Sequence, residues 1–152
     1  MVQSKTMWMV RAGEGGYLFE EFQKKEVVAI GWNEIGDLIK IRSQEEIKEI
    51  LRNKYPDYKP GKIAISASML NRFKTDFKKS DNVVTYNPDK RIYLIGEIVG
   101  DYEFNGKIME YFHIRRVKWL GEVTREKLSI STRNTLGAIS TLFELSEEAS
   151  NE

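Results

Sequence analysis

Apolar residues fall along this chain in short blocks, and their spacing changes character near residue 80. Residues 6–11, Thr-Met-Trp-Met-Val-Arg, are aromatic and β-branched and are stopped by the glycine-rich stretch 13–16, which predicts a buried strand. Over 17–25, Tyr17, Leu18 and Phe22 recur at helical spacing with charges between them. Residues 27–32, Val-Val-Ala-Ile-Gly-Trp, predict a second strand, ended by the polar loop 33–37. Ser43 followed by Glu46 is a capping box, ahead of a helix that buries Ile47, Ile50 and Leu51. Pro56 and Pro60 bracket a turn. Ile65, Met69, Phe73 and Phe77, four apart, give the buried stripe of a helix over 62–79.

Beyond Ser80-Asp81 the pattern is that of strands. Residues 83–86 and 91–99 are joined by the turn Asn87-Pro88-Asp89-Lys90. Residues 102–104 and 109–119 read as a hairpin closed through Asn105-Gly106. The second of these strands mixes aromatic and basic residues: Tyr111, Phe112, His113, Arg115, Arg116 and Lys118. A short helix is expected over 135–140 and a closing strand over 142–145, followed by a polar tail or linker over 146–152. Early helices and at least six mostly late strands predict an α+β domain. Its strands are expected to curl into a small twisted β-barrel, with peripheral helices outside it and at one end.

The chain has 152 residues, enough for one domain with a real core. No apolar run approaches a membrane span, and Met1-Val2-Gln3-Ser4-Lys5 lacks a signal-peptide core, so the expected compartment is the cytoplasm. With no Cys and one His, thiolate chemistry, zinc-thiolate sites and His-rich metal centres are excluded. Net charge is +1, but residues 144–152 hold four Glu and no base, which leaves 24 bases against 19 acids over 1–143. That mild positive balance is compatible with a polyanionic partner.

Catalytic constellations are hard to find. A metal-dependent nuclease needs an acid followed by Glu-x-Lys on a strand. The one such tripeptide, Glu46-Ile47-Lys48, lies upstream of both Pro-Asp pairs and on a helix face. A serine triad would have to use His113, which reads as a half-exposed strand residue, and no Gly-x-Ser-x-Gly elbow accompanies it. The glycines at 13, 15 and 16 suit either backbone contact with an anion or a plain strand-to-helix turn, and they match neither phosphate-binding fingerprint. Aromatic residues make up 11% of the chain, and most belong in the core. Trp32 stands apart: it ends a strand after Gly31 and is followed by Asn33-Glu34, a setting suited to stacking on a flat base.

Six segments occur in one order: Met7-Trp8-Met9-Val10-Arg11-Ala12-Gly13, Val28-Ala29-Ile30-Gly31-Trp32, Asp81-Asn82-Val83-Val84-Thr85-Tyr86-Asn87-Pro88, Tyr93-Leu94-Ile95-Gly96-Glu97-Ile98, Arg116-Val117-Lys118-Trp119-Leu120 and Ser131-Thr132-Arg133-Asn134-Thr135-Leu136. Together they resemble the EVE-type domain of the PUA-like superfamily, as found at the N-terminus of McrB-like and Mrr-like modification-dependent restriction proteins. The resemblance covers residues 6–145 and sets the expected domain at 1–145.

This resemblance implies a twisted barrel without catalysis of its own, related to the YTH and SRA readers that cage a modified base. It implies that Trp32 stacks on the base and that Asn33 reads its edge. Gly31, Asp37 and Asn134 are expected around the same pocket, with Tyr17, Met69 and Tyr86 as candidates for the second wall. Phosphate contacts are expected from Arg11, Arg115, Arg116, Lys118 and Arg133. The implied partner is double-stranded DNA carrying a methylated base, 6-methyladenine ahead of 5-methylcytosine, with a GTPase motor or nuclease elsewhere in the parent protein. No cofactor and no metal is expected. The alternatives are an RNA-binding PUA-type module, or a small hydrolase using Lys62 or Lys90 near Glu97.

Overall fold

A computed structural model describes residues 6–128 and 142–144. The chain runs β1 (Met7–Val10), α1 (Phe19–Lys25), β2 (Val27–Ile30), α2 (Gln44–Lys54), α3 (Pro60–Asn71), β3 (Asn82–Asn87), β4 (Ile92–Ile98), β5 (Glu103–Phe104), β6 (His113–Thr124) and β7 (Leu142–Glu144). The strands form one mixed sheet in the order β2-β6-β4-β3-β1-β7, with β5 paired to β6. Only β1 and β3 pair in parallel, with Trp8 opposite Val83, and the long connection between them carries all three helices. The sheet curls far enough for β1 and β2 to meet again across the core, giving a half-barrel.

Local chemistry accounts for the element ends. The Ser43 hydroxyl accepts from the Glu46 amide at 3.3 Å and starts α2 as a capping box. Pro60 sits in the first turn of α3, where its missing N–H costs nothing. That helix ends in a π-type turn over Arg72–Asp76, which swings Phe73 and Phe77 against the inner face of the sheet. Phe77 meets Trp8 with ring centroids 4.8 Å apart, and the Trp8 indole donates to Asp81 at 3.1 Å.

The main core fills the concave face with residues such as Phe22, Ile30, Leu51, Leu70, Phe73, Ile98 and Ile114. A smaller cluster, Met9, Val84, Tyr93 and Leu128, lies on the other face of β1, β3 and β4. Between Ile95 and Gly96 the β4–β6 register shifts. There the Trp119 ring lies so close that a Cβ on Gly96 would sit 2.7 Å from it.

Three expectations change. Ile65 is 60% exposed, because α3 turns that stripe toward a cleft instead of the core. The segment after Asn105-Gly106 is not a two-residue turn: pairing resumes only at Phe104 with His113, so residues 105–112 form a wide loop. His113 is not half-exposed but fully buried. The helix expected over 135–140 lies outside the described residues.

Candidate functional site

A cleft of about 930 Å³ opens where β1 and β2 end. Gly31 and Trp32 reach it from the end of β2, Tyr111 from the 105–112 loop, and Tyr55 and Tyr58 from the α2–α3 turn. Lys62, Ile65, Ser66 and Met69 line it from α3. Arg11, Gly13, Glu14 and Gly15 complete the rim.

Trp32 enters this cleft on a backbone in the left-handed region, at φ 65 and ψ 41. That conformation is held from behind by a buried relay. The Leu38 amide donates to the Tyr102 hydroxyl at 3.0 Å, which lies 2.7 Å from His113 Nδ1, while His113 Nε2 meets the Trp32 carbonyl at 3.0 Å. Because a carbonyl only accepts, Nε2 carries the proton and Nδ1 accepts from Tyr102, a neutral imidazole assigned from its partners. Burial pushes the His113 pKa down, which agrees with that neutral form.

Trp8 and Trp119 both give their indole N–H to acceptors within the fold, Asp81 and the Phe22 carbonyl. The Trp32 indole has no such acceptor among the described residues. Its ring is therefore half-buried with an open polar edge.

The α2–α3 turn is pinned beside it. Tyr55 donates its hydroxyl to Glu34, which raises the phenol pKa through burial and that bond and lowers the carboxyl. Tyr55 stacks on Tyr58 at 4.7 Å, and the Lys62 ammonium sits 4.3 Å above the Tyr58 ring. On the rim, Gly13 adopts φ 75 with the Tyr17 ring packed so tightly over it that a Cβ would stand 2.3 Å from Tyr17. Tyr17 is itself exposed and donates to Glu110 at 3.1 Å, which ties the glycine-rich turn to the 105–112 loop.

Of the residues expected at a base pocket, Gly31, Trp32 and Met69 line this cleft. Asn33 does not read into it. Its side-chain amide donates to the Glu110 carbonyl at 2.7 Å and accepts from the Phe112 amide at 2.9 Å, so both ends are committed to holding the loop. Asp37 is exposed and caps the Ile39 amide at 2.9 Å, outside the cleft. Tyr17 braces the rim and does not line it, and Tyr86 packs on Tyr93 on the other face of the sheet, 4.5 Å between centroids. Asn134 and Arg133 lie outside the described residues.

The expected phosphate contacts divide. Arg11 lines the cleft. Arg115 is buried, and its guanidinium donates to the carbonyls of Gly100, Phe73 and Phe77 at 2.8–3.0 Å, which rules out a surface contact. Arg116 holds Glu103 through two hydrogen bonds at 2.9 and 3.5 Å. Lys118 is exposed on β6, opposite Glu97 and away from the cleft. Lys62, Lys90 and Glu97 are not brought together: Lys62 lines the cleft, Lys90 lies in the turn before β4 and Glu97 near that strand's far end.

Among the described residues, no group of three or more His, Cys, Asp or Glu is placed to hold a metal ion. None of their helices is long and apolar enough to cross a membrane.

Sequence reasoning missed Tyr55, Tyr58, Ser66 and Tyr111. The two tyrosines had a legible signal, because aromatic residues in a proline-bracketed polar turn have little to pack against locally.

Fold and cleft together define an α+β domain whose half-barrel presents an aromatic cavity at one end. A family model described as a domain of unknown function (DUF8426) matches residues 8–146, and the chain belongs to that family. No curated protein and no solved structure matches it.

Proposed function

We propose that this chain is a reader of modified bases in nucleic acid, an EVE-type domain of the PUA-like superfamily that takes a flipped methylated base into the aromatic cleft. The carrying observation is Trp32, held half-buried at the cleft by the His113 relay, with no acceptor for its indole among the described residues. Stacking on such a ring contributes about 1–3 kcal/mol per base, which offsets the few kcal/mol needed to unstack it. Burying the methyl group adds roughly 0.8 kcal/mol. Tyr111, Tyr55 and Met69 supply further apolar surface, and Ser66 lies buried at the cleft wall as a polar group for the base edge.

Charge argues against the other common use of an aromatic cage, capture of a methylated ammonium. Arg11 and Lys62 both line this cleft, and Lys62 already occupies the face of Tyr58. A flat, uncharged ring attached to a phosphate suits that setting better. The natural ligand in this reading is duplex DNA carrying 6-methyladenine, and the domain serves as the specificity module of a modification-dependent restriction system, without chemistry of its own.

Titration of wild type and Trp32→Ala with methylated duplex, plain duplex and RNA tests the reading. Wild type should prefer methylated DNA, and Trp32→Ala should bind both duplexes alike while melting near the wild-type temperature. Equal wild-type affinity for methylated and plain DNA would sink the proposal. Tighter binding of RNA would move it to an RNA module.

A further inference from the structure

A second depression, about 400 Å³, lies on the outer face of the sheet, away from the main core. Met9, Tyr86 and Tyr93 of the neighbouring strands β1, β3 and β4 floor it, and Arg11, Arg91 and Arg125 line it together with Pro88. No acidic residue lines it. The three arginines converge. Arg125 hydrogen-bonds the Tyr93 hydroxyl, and Arg11 lies near enough to act on the same hydroxyl. The Arg125 amide donates to the Arg91 carbonyl at 2.9 Å, which sets those two side by side. Arg91 also pairs with Glu126 at 2.6 Å, with both side chains 56% exposed, so water screens that pair.

This depression adjoins the aromatic cleft. Arg11 lines both. The glycine-rich turn that rims the cleft also rests on the turn that rims the depression: Gly16, at φ 76, packs so closely that a Cβ would stand 2.6 Å from the Pro88 ring. A polyanion lying across this edge of the sheet would meet an aromatic cavity and a guanidinium cluster in succession.

We infer that the Arg11–Arg91–Arg125 depression binds the backbone phosphate beside the nucleotide whose base enters the cleft, an inference that rests on the base-reading proposal. Guanidinium forks match phosphate oxygens in pairs, which a lysine ammonium does not do. The Tyr86–Tyr93 floor offers an apolar bed for the adjoining sugar. Arg115 and Arg116, which the sequence marks for this task, are thereby replaced by Arg91 and Arg125.

The decisive probe is a short chain of abasic deoxyribose phosphates, which carries phosphodiesters and no base. Wild type should bind it at low salt. Arg91→Gln combined with Arg125→Gln should weaken it and flatten the plot of log affinity against log salt by about 1.4, from ~0.7 per lost contact on single strands. The same double variant should weaken methylated and plain duplex by one common factor, so that their ratio is kept. Arg91→Lys with Arg125→Lys, which keeps the charge, should recover most of the salt slope, and thermal melting of each variant reports on the fold.

Unchanged affinity and slope in the Gln pair, or no wild-type binding of the abasic chain, overturns the phosphate site. The base-reading proposal still stands in that case if Trp32→Ala abolishes methyl preference. Conversely, arginine-dependent binding of the abasic chain without any wild-type preference for methylated duplex supports the phosphate site and removes the base reader.

Discussion

Arg115 and Arg125 carry the same guanidinium in opposite settings. Arg115 lies in the first half of β6, where the strand is buried on both sides, and its donors reach three backbone carbonyls from Gly100, Phe73 and Phe77. Burial lowers its pKa, with Asp101 and Asp81 acting in the other direction. Arg125 lies just past the second half of β6, partly exposed, facing a tyrosine floor and two further arginines. One charge closes the fold and the other faces solvent. The difference is one of solvation and committed donors, and neither is written in the residue type.

The largest effect should come from removing the buried member. Arg115→Ala leaves three buried carbonyls without their donor, at ~1–3 kcal/mol each, so a loss of at least about 3 kcal/mol is expected. Chemical denaturation with both variants side by side checks this, and Arg125→Ala should stay within about 1 kcal/mol of wild type. Equal losses in the two variants would erase the distinction between the regions.

His113 shares the buried half of β6, and pH reads it. Its folded-state pKa is lowered by burial, so the unfolded chain binds the proton more readily than the native one. Stability is therefore full above the ordinary imidazole value near 6.5 and declines as pH falls below it. Melting temperature should drop between pH 7.5 and about 5.5, above the range where carboxylates titrate. In His113→Gln, whose amide can still bridge Tyr102 and the Trp32 carbonyl, that slope should flatten. A pH slope as steep in the variant as in wild type would assign it to another group.

Arg116 offers the smallest expected change. It is about two-fifths exposed and bound to Glu103, a pair of the kind worth ~0–1 kcal/mol. Arg116→Ala should shift stability by less than about 1 kcal/mol and leave the salt dependence of binding as it was. A flattened salt slope would return Arg116 to the nucleic-acid interface and blur the comparison.

Periodicity made most elements legible. The Ser43–Glu46 box, the proline-bracketed turn, the β3–β4 turn and the closing strand all appear where local chemistry asks for them. What local pattern could not carry was set by partners far along the chain. The 105–112 loop is held open by the Asn33 amide, some seventy-seven residues away from Glu110 and seventy-nine from Phe112, and that hold places Tyr111 at the cleft. The same bonds remove Asn33 from any role at a base edge. Arg115 looked like a surface cation because alternation on β6 implies one wet face, whereas His113, Ile114 and Arg115 are buried in succession. Ile65 was taken for core because its spacing fits a buried stripe, yet the neighbouring space is the cleft itself.

The left-handed backbone under Trp32 sets folding and recognition against each other at a single position. Any side chain there carries ~1–2 kcal/mol of backbone strain that glycine avoids, and asparagine tolerates it best of the remainder. A library randomised at position 32 and sorted only for resistance to proteolysis should drift toward Gly and Asn. Sorted for capture of methylated duplex, the same library should return Trp. Opposite winners from one pool would mark this residue as kept for its ligand, at a standing cost to the fold that carries it.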